Sequence, residues 1–463
     1  MRRAPLLALL VLHCSGEKDT TGFQGTAGGP SSFDPSTGAP TTGDLTAATS
    51  TSAASSDTGL TPTTGDPVTT TTTTTGDPTT GTTAVAPVCG DGTVDPGEQC
   101  DDGDMSDGGP CLSDCTVGHA LLALVGRGDD PAAIAMFDPV HGWTTADATY
   151  DLGAAAIVST PDGAHAVIRR AGADPDAEDE LHHTRWMDPD PDLLKSSAPV
   201  GDFGFTLDAP ALASVPDTLT LAFLGTDFKH YVALYSGDAW GPFEPLPAAT
   251  LDVQAFGPGG AALAPGQLET HAVYAGDDDK VYVASKPQWN APWEASIQAP
   301  PPAVVDTIRP AAVVDPDGDL VLAYVRKSDN QIGLTRRSAA DNTWSLEILV
   351  DPQARTDAPV ALLRADAGAW LIAWRHFDNA GVSFSRSADL AAWDPPTVVE
   401  LPASTTPPQL VPGVLDADAE LLYTAAGALH HARITAGQLT APQPVAGLAA
   451  ATTVAACRVQ LEP

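Results

Sequence analysis

The sequence predicts an all-β fold, a seven-bladed β-propeller preceded by a disordered Thr/Pro/Gly-rich stalk and a small disulfide-rich module. Three observations predict it. From Gly118 onward, short apolar runs alternate with Asp, Gly, Asn and Pro turn residues, and helical periodicity is scarce. A four-strand unit recurs, cleanest over residues 309–357: AAVV, then LVLAYV after an Asp-Gly turn, then QIGLTRRS after a polar turn, then WSLEILV. Similar units begin near Ala154, Pro210, Gly260, Pro310, Pro359 and Pro408, at spacings of 56, 50, 50, 49 and 49 residues. Such a unit cannot bury its two faces until neighbours stack on both sides, which is the logic of a propeller blade.

These heads mark six full blades. Residues 119–153 hold three strand patterns, HALLALV, AAIAMF and one led by Trp143, which match the second to fourth strands of a blade. The missing first strand is TTVAACRV, residues 452–459, left over at the chain end. The composite blade makes seven, with six or eight as the alternative counts, and it removes the exposed edges of an open ring. Trp143, Trp240, Trp289, Trp344 and Trp393 are expected to open fourth strands. Cys457, in the closing strand, is expected to be a buried free thiol.

The N-terminus comes before these units. Residues 1–14, MRRAPLLALLVLHC, place Arg2 and Arg3 before an apolar run from Ala4 to Leu12. As a helix that run would span roughly 14 Å, about half a bilayer core, so it reads as an export signal and not a membrane span. Its abrupt end at Cys14 resembles a bacterial lipoprotein signal, which implies lipidation of Cys14. Residues 15–88 are rich in Thr, Ser, Gly and Pro, with TTGD recurring. With almost no large apolar side chains the segment cannot offset the entropy of ordering, and it is expected to be a disordered tether of about 50 Å.

Residues 89–117 hold Cys89, Cys100, Cys111 and Cys115 with no apolar core, a composition that calls for staples. Ten, ten and three residues separate the cysteines, so there is no pair of CxxC knuckles for zinc, and three disulfide pairings remain open. The runs CGDG, PGEQCDDGD and CLSDC resemble one copy of the cysteine-rich repeat common in myxobacterial cell-surface proteins. The resemblance implies an extracytoplasmic disulfide-stapled module. Eight carboxylates and no Lys or Arg sit here, and Asp101, Asp102, Asp104 and Asp107 are hard oxygen ligands that calcium would suit, although they lack EF-hand spacing. No cofactor is otherwise required.

The formal net charge is -37, and no region after the extreme N-terminus is basic. Nucleic acid is excluded on that ground. The candidate ligand surface is one rim of residues 118–463, where antiparallel strand order brings the start of each first strand beside the end of each second strand. Arg309, Arg326, Asp329, Arg355, Asp357, Arg375, His376 and Asp378 fall there. Arginines in an acidic domain could grip an anionic or hydroxyl-rich ligand. The alternative is that they pair with neighbouring aspartates as rim ion pairs. No catalytic residue is assigned.

SRSADLAAW, residues 385–393, is similar to the Asp-box turn of sialidase-type propellers through Ser387, Asp389 and Trp393. Such turns imply fold. Activity in that family would further require three arginines on a carboxylate, a Tyr activated by Glu and an acid Asp. Arg309 compares with the first arginine, whereas Tyr324 lies within a strand and no Tyr-Glu pair can be placed on the rim. The resulting expectation is an exported, membrane-anchored or secreted protein of a bacterial cell envelope, whose propeller binds a cell-surface glycan or protein without catalysis. A sialidase-type glycoside hydrolase is the alternative. Mass spectrometry of the membrane fraction is expected to find the mature chain beginning at an acylated Cys14; an intact peptide spanning His13 and Cys14 would show that the anchor is absent.

Overall fold

The computed structural model of the chain describes residues 88–461, apart from 96–97, 104, 106–110, 129, 162, 171–178, 187–196, 202–204, 216–217, 248–258, 301–302 and 400–402. Cys14, the stalk segment 15–87, Asp104 and Asp107 lie outside the described residues. Seven antiparallel sheets form the blades of a propeller. Blades I to VI occupy residues 154–199, 211–245, 262–298, 311–349, 361–399 and 409–449. Blade VII is composite: Thr453–Gln460 is its first strand, followed by His119–Arg127, Asp130–Asp138 and Gly142–Asp147. The first strands lie side by side around the axis, and the ring closes where Thr453–Gln460 meets Ala154–Thr160.

Each blade buries both faces, which explains why second strands such as LVLAYV and WLIAWR are continuously apolar and do not alternate. Leu320–Val325 is buried at every position. Seven apolar clusters lie among the described residues, one at each junction between neighbouring blades. At the IV/V junction Val321, Ala323, Ile332 and Leu334 pack on Trp370, Ile372 and Trp374. Each such side chain contributes roughly 1.5–3 kcal/mol when fully buried, so a blade is stable chiefly through its neighbours.

The expectation for tryptophan needs correction. Trp143 and Trp240 do lie in fourth strands. Trp344 and Trp393 instead bridge back to the last residues of third strands, Arg337 and Ser387, several residues before the fourth strands Ile348–Leu349 and Thr397–Val399. They close the hairpin before the chain extends. Trp289 belongs to no strand and is 57% exposed. The Asp-box-like turn is built as a hairpin cap: Ser387 donates to the Ala392 carbonyl at 2.6 Å, and Asp389 accepts from the Ala391 amide at 2.9 Å.

In the cysteine module the disulfides are nested, Cys89 to Cys115 and Cys100 to Cys111. Asp101 sits at its centre and accepts backbone amides of Gly90, Asp91, Gly92 and Gly103 at 2.8–3.1 Å. Partial desolvation works against its charge, but the four amide donors hold the carboxyl below its ordinary range. Asp101 therefore acts as a turn organiser. Cys457 is buried and free, and burial pushes its thiol up.

Gly126 pairs with Thr453 across the closing strands, where a Cβ would come within 2.4 Å of the Thr453 methyl and 2.5 Å of the Leu152 carbonyl. Gly126→Ala is expected to destabilise the fold by about 1–3 kcal/mol through overpacking of the seam, as read from the shift of the urea unfolding midpoint. An unchanged midpoint would show that the seam yields without cost.

Candidate functional site

Of the residues expected at the rim, the four arginines are dispersed among separate partners. Arg309 reaches back across blade III to blade II: its guanidinium lies 3.3 Å from Asp208, donates to the Pro210 carbonyl at 3.2 Å and also meets the Ala209 carbonyl. It passes over Gly260, whose missing side chain leaves the room it needs. Arg326 pairs with Asp329 at 3.3 Å and Glu347 at 3.4 Å. Arg355 donates to the Asp329 carbonyl at 2.9 Å and lies over the Phe377 ring. Arg375 binds Asp357 at 2.7 Å, and His376 contacts Ser383 at 2.7 Å. Burial lowers the affinity of His376 for a proton despite nearby Asp378, which is exposed.

A Tyr-Glu pair does exist, although the sequence did not place one. Tyr324 donates to Glu347 at 2.9 Å, and Arg326 stands on the other oxygen. The tyrosine is only 1% exposed and packs in the III/IV junction. Burial and the Glu347 charge push its phenol above the ordinary value, opposite to what a nucleophilic phenolate needs. The pair is a strut, made possible by Gly333, where a Cβ would collide with the tyrosine ring.

Concave polar space occurs on the opposite face, which carries the turns between first and second strands. A cleft of about 470 Å³ opens between blades I and II, and one of about 200 Å³ at the same place between blades III and IV. Each has a buried histidine near the head of a second strand. His165, cross-strand from Arg185, lines the first, and His271, cross-strand from Ser285, lines the other. On the opposing wall the corresponding pairs are Leu219 with Tyr235 and Leu320 with Arg337. Each cleft thus holds a histidine, an arginine, hydroxyls and at least one carboxylate.

In the I/II cleft His165 Nδ1 lies 3.0 Å from His183 Nε2, with the rings stacked, and Tyr235 meets both edge-on. Burial, then the neighbouring His165 and Arg185, push His183 down to about 4, so His183 is neutral at neutral pH. Arg185 touches Asp238 at 3.4 Å, and the Asp238 side chain is 83% exposed. The Thr218 hydroxyl is buried in the cleft wall and has no hydrogen-bond partner among the described residues. In the III/IV cleft His271 spans Ser285 Oγ at 2.8 Å and Glu269 at 3.3 Å, while Arg337 donates to Asn342 at 2.8 Å. None of these residues was among the expected site residues. The legible signal was GAHAV at 163–167 and ETHAV at 269–273, the same His-Ala-Val at corresponding second strands.

His182 and His183 point to opposite faces, as alternation requires, and so do His430 and His431. Among the described residues no group of three His, Cys, Asp or Glu side chains is arranged to hold a metal ion, and no helix is long and apolar enough to cross a membrane.

No family model matches the chain, and no curated protein matches it. Among solved structures it is similar to AofleA from Arthrobotrys oligospora, at 11% identity over 77% of this chain and 96% of that one, with a TM-score of 0.45. It is also similar to the six-bladed fungal lectin of Aleuria aurantia, described for its fucose recognition, at 12% identity over 64% and 96% with a TM-score of 0.41. A Hadza microbial sialidase, Hz136, is similar at 12% over 65% and 72%, also with a TM-score of 0.41. Likenesses this distant carry no functional weight.

Burial, with Arg309 nearby, pushes His230 down to about 3, and His183 is held at about 4, whereas both take protons near 6.5 when unfolded. Below that pH the unfolded chain binds more protons, so stability is expected to fall as pH drops from 6.5 towards 3. His230→Phe, packing on Tyr274, is expected to flatten this dependence in urea midpoints measured from pH 7 to 3.5. Parallel curves for the two proteins would show that His230 does not contribute.

Proposed function

We propose that the propeller is a non-catalytic carbohydrate-binding domain of an exported, envelope-anchored protein, with its ligand sites in the I/II and III/IV clefts. The observation that supports this is the repetition of one kind of cleft at two corresponding junctions. A histidine, an arginine, carboxylates and hydroxyls converge there on a shallow space, the donor and acceptor set that a saccharide's hydroxyl groups match. Tyr235 adds an apolar ring to the first cleft, and the Thr218 hydroxyl, unpartnered among the described residues, is a group that a ligand or water would satisfy. On this reading the rim arginines tie blades together, and the stalk lifts the propeller from the membrane. No cofactor is needed.

The rival reading, a sialidase-type hydrolase, finds its nearest support in Tyr324 and Glu347. That support is weak, because the phenol is buried and held protonated while Arg309, Arg355 and Arg375 are spent on separate partners. A glycan array probed with the purified chain is expected to show binding that falls at least tenfold in the double variant Arg185→Ala/Arg337→Ala. Absence of signal on every glycan would remove the carbohydrate reading and leave protein scaffolding; release of sugar from an array glycan would favour the hydrolase.

A further inference from the structure

Trp289 follows closely in the chain on a residue that lines the III/IV cleft. Pro287 lines that cleft, and two residues of chain place Trp289 within about 8 Å of it. Leu268 of the same blade, next to the lining residue Glu269, is 71% exposed. Trp289 itself is 57% exposed, and the backbone of its loop is tied down. The buried Lys286 at the base of the loop donates to the Ala291 carbonyl and lies 5.9 Å from the centre of the Trp293 ring. The amides of Ala291 and Glu294 bond back to Gln288 at 3.0 Å and Ser285 at 2.8 Å. The backbone of the loop is therefore braced, and Trp289 on it is exposed.

The charge of the cleft narrows the occupant. Glu269 and Glu294 face Arg337, in a molecule of net charge -37. An anionic ligand would be repelled. An uncharged sugar would hydrogen-bond the same groups, and the hydrogens on one face of its ring are apolar enough to lie on an indole.

Resting on the binding reading above, we infer that the III/IV cleft takes an uncharged oligosaccharide, with one sugar between His271 and Arg337 and the next stacked on Trp289. The braced loop supplies a platform already in place before binding, so little ordering entropy opposes it.

The test titrates the full chain with maltotetraose, cellotetraose, chitotetraose and a galacturonan tetramer, and with their monosaccharides. Trp289→Phe serves to isolate the Trp289 fluorescence. At least one neutral tetramer is expected to bind and to perturb that fluorescence. Trp289→Ala should weaken tetramer binding about tenfold, the size of one aromatic contact, and leave the monosaccharide unchanged. Arg337→Ala should weaken both. Tetramer binding unchanged in Trp289→Ala, or binding of the galacturonan alone, would overturn this inference while the clefts remain binding sites. Binding of none of these sugars, with signal on an array glycan lost in Arg185→Ala alone, would overturn it as well; silence on both would overturn the binding reading too.

Discussion

Everything in this fold depends on closing the ring, because a blade buries its faces only against its neighbours. The closure is backbone pairing between Thr453–Gln460 and His119–Gly126, eight positions in register. A second lock joins blades VI and VII. Trp143 donates to His431 Nδ1 at 3.3 Å, so the proton of His431 is on Nε2 and is donated to Glu420 at 2.8 Å. Glu420 is fully buried and also receives Arg433 and the Val414 amide, each at 3.2 Å. A carboxylate without water is tolerable only when paired and hydrogen-bonded in this way.

Arginines extend the same principle beyond adjacent blades. Arg309 links blade IV to blade II on one face. Arg458, in the closing strand, reaches Asp366 of blade V and the Gly413 carbonyl of blade VI. At exposed positions single pairs of this kind contribute little, but here the arginines are half-buried and join elements about a hundred residues apart.

The fold was more legible than the site. Strand heads, blade count and the composite blade could be read because apolar periodicity and turn residues repeat along the chain, and a repeat unit reports its own architecture. The tryptophan positions were misread because a Trp before a strand and a Trp within one look alike in sequence. The clefts escaped because each is made by two blades. His165 and Tyr235, or His271 and Arg337, meet only after stacking, and no local spacing announces them.

By itself, the sequence determined the class of fold, the number and order of the blades, the strand that closes them and the cysteines of the module. All of these follow from local pattern or from counting. Tertiary structure alone decided which cysteines pair, that the rim arginines have partners, that Tyr324 and Glu347 meet inside a junction, and that polar clefts recur between blades I and II and between III and IV. The physical reason is the same in each case: these are contacts across strands or blades, set by register and stacking, and a linear pattern does not encode which side chains face one another across a gap.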